Sequence, residues 1–179
     1  YSGSENDVLD RIFNTAKAYD SDFVVRVTAD CPFVDPKIID RMVSFHHQNY
    51  KKYDIIVNNK PPTFPHGLDI EVSSFEILQK MWLQIKEPNL REWFPLFVEK
   101  NPEIFRIHNI PNTSNLSHLR WTIDYPEDFE FTEKVFEQLY SSDKIFLMED
   151  ILKLLKNLPE LSLINSKYVG QHNVGAPKI

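Results

Sequence analysis

The run 23–36, FVVRVTADCPFVDP, constrains the fold more than any other part of the chain. Phe23, Val24 and Val25 continue through Arg26 and Val27 as an apolar, β-branched segment, the pattern of a buried strand over 23–28. The segment breaks at Thr28-Ala29-Asp30-Cys31-Pro32. Asp35-Pro36 then opens a helix, with Asp as the cap and Pro at the first helical position. Strand, acidic break and capped helix make a unit of an open α/β sheet, and they place Asp30 at the carboxyl end of a central strand. In such sheets that edge is where ligands bind.

A second acidic turn, Thr122-Ile123-Asp124-Tyr125-Pro126-Glu127-Asp128, follows an apolar strand-like run over 119–123. Two acids at two strand ends can share one divalent cation, and a cation suits a phosphate substrate. A blander reading stands beside this one. Asp30 in a turn before Pro can bond nearby amides, Asp124 can cap the helix that follows, and Asp128 fits its first turn.

The remaining pattern alternates helix and strand. A capping box at 4–7 starts a helix to about residue 19, with Val8, Leu9, Ile12, Phe13 and Ala16 on one face. Ile38, Ile39, Met42, Val43 and Phe45 mark the buried stripe of the helix after Pro36. Strands are expected at 53–58, at 68–72 with alternating acids Asp69 and Glu71, and at the sheet edge over 104–110. The stretch 61–67, PPTFPHG, is a loop with too many prolines for regular structure. Ser73 or Ser74 caps a helix carrying Phe75, Leu78, Met81, Trp82 and Ile85, and a helix over 90–100 is expected to kink at Pro95. Helices over 126–140 and 147–158 complete the set, and 166–179 reads as a tail. The fold class is α/β, a three-layer, Rossmann-like mixed sheet in one domain over 1–165.

Composition narrows the function. Hydrophobic residues are 42% and charged residues 26%, ordinary for a globular domain, and the net charge is −6. No Lys/Arg cluster exists to track a nucleic-acid backbone, so nucleic acid is not an expected partner. The single cysteine, Cys31, forms no internal disulfide and fits a reducing cytoplasm. No apolar run reaches the length that spans a membrane, and no signal peptide is visible.

Four blocks carry a resemblance: GSENDVLDR (3–11), RVTADCPFVDP (26–36), TFPHGLDIEVSSFEIL (63–78) and LSHLRWTIDYPEDFEF (116–131). In this order and spacing they resemble the cytidylyltransferase family, in the branch of spore-coat polysaccharide biosynthesis related to the CMP-Kdo and CMP-sialic acid synthetases. The resemblance implies a nucleotide-diphospho-sugar-transferase-like fold and attack of a sugar oxygen on the α-phosphate of CTP, giving a CMP-sugar and pyrophosphate. It implies Mg²⁺ held by Asp30 and Asp124, with Asp128 left to capping. It makes the loop through His66, Gly67, Asp69 and Glu71 the acceptor-sugar region and part of a homodimer arm over 68–72. On this reading Asp69 and Glu71 bind sugar hydroxyls and Gly67 lets the backbone approach the ligand.

Arg120 is a phosphate or carboxylate ligand or a structural ion pair, and Asn58 is a further candidate at the active edge. Arg26, inside an apolar strand, calls for an ion-pair partner. His118 and Cys31 read as structural rather than catalytic.

The chain departs from the family in three places. The basic, glycine-containing loop that grips the nucleotide is absent, so the sequence reads as N-terminally truncated, with the first strands missing and the chain alone inactive. Ala29 replaces the family's Gly, and in Arg91-Glu92-Trp93-Phe94-Pro95 the expected His is Trp93. Two other readings stay open: a degenerate sugar- or partner-binding module, and a metal-dependent glycosyltransferase of the A type.

Overall fold

The computed structural model describes residues 1–171. Four strands, β1 (Phe23–Arg26), β2 (Ile55–Val57), β3 (Glu71–Ser74) and β4 (Ile107–Asn109), form one mixed sheet in the order β1-β3-β2-β4. β3 runs antiparallel to both β1 and β2, whereas β2 and β4 are parallel. Seven helices connect and cover them: α1 (Val8–Ala18), α2 (Pro36–Asn49), α3 (Phe75–Gln84), α4 (Pro88–Glu92), α5 (Phe94–Lys100), α6 (Pro126–Leu139) and α7 (Met148–Asn157). Two 3-10 turns, Pro159–Leu163 and Ser166–Tyr168, follow α7.

Side-chain alternation along the strands makes the three layers. Ile56 and Val72 point into a core with Phe33, Met42, Trp121, Phe131 and Ile151, which seats α2, α6 and α7. Ile55 and Val57 point the other way, into Leu9, Phe13, Leu78, Met81 and Val98, which seats α1, α3 and α5. All three residues of β2 are buried, as a strand covered on both faces must be.

Local signals and long-range contacts combine at Asp35. One carboxylate oxygen accepts from the Lys37 amide at 2.8 Å and caps α2, as the sequence predicts. The other accepts from the Met148 amide at 2.9 Å, joining the first turns of α2 and α7. Asp54 is also buried and holds Arg106 through both oxygens, at 2.7 and 3.1 Å, fastening β2 to β4.

Several expected boundaries shift. α1 begins at Val8 under an Asp7 cap rather than at Ser4. The single kinked helix over 90–100 is two helices, because the chain leaves helical geometry at Trp93 and Pro95 restarts it in the first turn of α5. The strand expected over 119–123 is not a ladder strand. It touches its neighbour through one isolated parallel bridge, His66 with Arg120. β1 lies at an edge of the four-stranded sheet rather than in its centre.

The segment expected to form a dimer arm is likewise internal. Leu68, Ile70 and Val72 are fully buried, and the Glu71–Val72 backbone is paired with β1 on one side and β2 on the other. The apolar side chains of this segment are spent within the chain's own core. The tail expected from residue 166 begins as an ordered 3-10 turn, and the rest of it, 172–179, lies outside the described residues.

Candidate active site

The two acidic turns meet through their main chains. The Asp30 carbonyl accepts from the Ile123 amide at 2.8 Å and from the Thr122 hydroxyl at 3.2 Å. Asp30 and Asp124 consequently line one cleft of about 490 Å³ at the sheet edge, a size within the range of small-molecule sites. His66, Asp69 and Glu71 line the same cleft, so five of the expected site residues converge there. Trp93 lines it too, which puts the His-to-Trp departure at the site itself.

The cleft carries mixed charge. Arg26 pairs with Glu71 at 3.1 Å and lies over the Phe94 ring, satisfying the partner that an arginine in an apolar strand requires. Lys60 pairs with Glu99. Burial pushes the Lys60 ammonium below its ordinary pKa, against the opposing pull of Glu71 and Asp69. Lys60, Glu99 and Arg11 are cleft residues that sequence reasoning missed, since a lysine before a proline-rich loop carries no motif.

Arg120 occupies a different place from the one expected of a substrate ligand. Its side chain is 1% exposed, and all five N–H directions are taken. Nε and Nη2 donate to the two oxygens of Asp128 at 2.9 and 2.8 Å, and Nη2 also donates to Asp124 Oδ2 at 2.6 Å. Nη1 donates to the Gln171 carbonyl at 2.9 Å and faces His66 Nδ1 at 3.3 Å. Arg120 therefore acts on the cleft through Asp124 and His66.

Asp128 is fully buried and caps, as expected, by accepting from the amides of Asp124 and Tyr125. Burial alone would raise its pKa. The Arg120 guanidinium, the Asp124 amide and Asn165 outweigh that and hold the carboxyl below the usual range.

Two other candidates turn out to be structural. Asn58 is completely buried, donating to the Leu68 carbonyl at 2.7 Å and accepting from the Ile70 amide at 2.9 Å. It pins the loop through Leu68 and Ile70 from beneath and has no face on the cleft. Gly67 has φ of +107°, and a Cβ there would meet the Thr122 nitrogen at 2.6 Å. The Trp121–Thr122 backbone fills the space a side chain at Gly67 would need.

Cys31 is a buried thiol whose hydrogen bonds run to Thr28 and, at 3.6 Å, to Asp30. Burial pushes its pKa up to about 12, which removes it as a nucleophile.

For a metal, Asp30 and Asp124 supply hard oxygen donors, with one Asp124 oxygen already committed to Arg120. No cluster of three or more metal-binding side chains occurs among the described residues. Two carboxylates with open positions fit Mg²⁺, which binds through one or two carboxylates and takes its remaining ligands from water and substrate phosphates. No helix among the described residues is long and apolar enough to cross a membrane.

Comparison with known proteins identifies the fold and the family. The chain is 32% identical over 170 residues to an uncharacterized protein of Methanocaldococcus jannaschii, covering 93% of this chain and 66% of that protein. It is 28% identical over 160 residues to the spore coat polysaccharide biosynthesis protein SpsF of Bacillus subtilis, covering 88% of this chain and 65% of that one. The chain thus spans about two thirds of the length of these curated relatives. A solved cytidylyltransferase from Leptospira borgpetersenii superposes with a TM-score of 0.84 at 33% identity, over 90% of this chain and 67% of that structure. The cytidylyltransferase family model matches residues 1–151, through both acidic turns and the loop between them, and the chain belongs to that family.

Proposed function

We propose that this chain carries the cation-binding and acceptor-binding part of a sugar cytidylyltransferase in the synthesis of a surface polysaccharide. The reaction is attack of a sugar oxygen on the α-phosphate of CTP, forming the new P–O bond as pyrophosphate leaves. The observation that carries this reading is the main-chain seam between Asp30 and Ile123, which turns both Asp30 and Asp124 onto one cleft. Family membership and the likeness to SpsF support the nucleotide and the polysaccharide context.

Asp30 and Asp124 would hold Mg²⁺, which when bound supplies positive charge to the phosphoryl oxygens. The other groups orient the acceptor. Asp69 and the Glu71 lone pairs not directed at Arg26 accept hydrogen bonds from sugar hydroxyls. Arg120 Nη1 can only donate, so His66 Nδ1 is its acceptor and the proton of a neutral ring sits on Nε2, 4.0 Å from Asp69 Oδ2. His66 is thereby set between Arg120 and Asp69.

The test is product analysis with the full-length protein, CTP and a panel of sugars. Pyrophosphate release is expected. Asp30→Asn and Asp124→Asn should each lower turnover by orders of magnitude with little change in melting temperature. Normal turnover in both variants would remove the shared-cation site. Release of a nucleoside diphosphate from a nucleotide sugar would instead make the protein a glycosyltransferase.

A further inference from the structure

The segment after α7 lies beyond the family match, which ends at residue 151, yet it reaches into the second acidic turn. We propose that residues 159–171 form a working part of the site, with Asn165 as a positioning residue that sets the Asp124 carboxylate through Asp128 and Arg120. The proposal rests on the cytidylyltransferase reading for what Asp124 does, but not for how it is held.

Asn165 is 2% exposed. Both hydrogens of its amide are used, one on the Arg120 carbonyl and one on Asp128 Oδ1, each at 2.9 Å. Asp128 in turn takes two donors of the Arg120 guanidinium, and the third contact of that group is Asp124. A guanidinium is planar and rigid, so fixing two of its donor directions fixes the rest. Asn165 therefore helps to fix the direction in which Asp124 is pulled.

The same segment holds the other side of the guanidinium. Gln171 accepts Arg120 Nη1 on its main-chain carbonyl, and its side-chain oxygen accepts the Tyr125 hydroxyl at 2.9 Å. Tyr168 stacks on Tyr125 with ring centroids 3.8 Å apart, and both rings flank Arg120, at 5.4 and 6.0 Å. These contacts leave Arg120 one orientation, which also presents Nη1 to His66. One latch from outside the family match thus bears on both the cation-side acid and the acceptor loop.

The experiment compares the full-length protein with Asn165→Ala and with the milder Asn165→Ser, using Lys134→Ala as a control on the exposed Lys134–Glu137 pair of α6. Three readouts are taken at a temperature where all variants are folded: hydrogen exchange of the Asp124 and Tyr125 amides, Mn²⁺ affinity by electron paramagnetic resonance, and kcat and KM for CTP by pyrophosphate release. For the Asn165 variants the two amides should exchange at least about tenfold faster relative to α3, while Mn²⁺ affinity and kcat fall by about 10- to 100-fold. KM for CTP should stay near the wild-type value, and Lys134→Ala should change none of these.

A lowered melting temperature with exchange, Mn²⁺ affinity and kcat all at wild-type values would overturn the proposal. If the wild type neither binds Mn²⁺ nor releases pyrophosphate, the functional reading fails instead, and the amide exchange still decides whether Asn165 holds the turn.

Discussion

A methyl group placed on Gly67 would lie 2.6 Å from the main-chain nitrogen of Thr122 and 2.8 Å from the Trp121 carbonyl oxygen. Neither atom belongs to a flexible side chain, and the φ of +107° is itself strained for any other residue. Gly67→Ala is expected to destabilise the protein by about 3 kcal/mol or more in denaturant unfolding. Gly170→Ala is the matched control: it also has positive φ but open space around it, and should cost only about 1 kcal/mol.

Asn58 offers a second stability test, because its amide satisfies two buried main-chain groups, the Leu68 carbonyl and the Ile70 amide. Asn58→Ala leaves the Leu68 carbonyl and the Ile70 amide without partners, which should cost about 3 kcal/mol in total. At this chain length that lowers the melting temperature by roughly 6–12 °C. A loss in substrate affinity with unchanged stability would return Asn58 to the list of ligands.

Chemical reactivity should follow the burial of Cys31. With its pKa pushed up to about 12, the thiol should resist iodoacetamide at pH 8 in the folded protein and react readily once the chain is unfolded. Fast alkylation of the native state would show that the Thr28–Asp30 pocket opens.

Acid stability should depend on Asp54 and Asp128. Burial raises the pKa of each, but the bonds from Arg106 and Arg120 outweigh it, so both carboxyls lie below their unfolded values. Their contribution is fully present above the unfolded value of about 4 and is lost as pH falls from there through the folded value. Asp54→Asn should lower stability at pH 7 and flatten its decline below about pH 4, read by denaturant unfolding at a series of pH values.

Much of the scaffold was legible in the sequence because it is local. The periodicity of Leu9, Phe13 and Ala16 marks α1, and Asp35-Pro36 and Ser74 mark the starts of α2 and α3. Two acidic turns after apolar runs were enough to pick out Asp30 and Asp124, which line one cleft even though the second run is not a ladder strand. What stayed hidden depends on contacts far apart in the chain. Nothing near Asn58 reveals that Leu68 and Ile70 will hang from it, and nothing near Arg120 reveals Gln171. The run 119–123 has the apolar pattern of a strand, but only one bridge forms, because the side of the run that would pair is taken by the turn at Asp30.

The seam between Asp30 and Ile123 uses a carbonyl and an amide, groups that every residue but proline supplies in the same position. The joining of the two acidic turns is therefore a property of the main chain rather than of the side chains around it. The prolines and charges of the 60–71 stretch can be rewritten without touching that bond, so a redesign of the cleft has a stationary reference point from which to start.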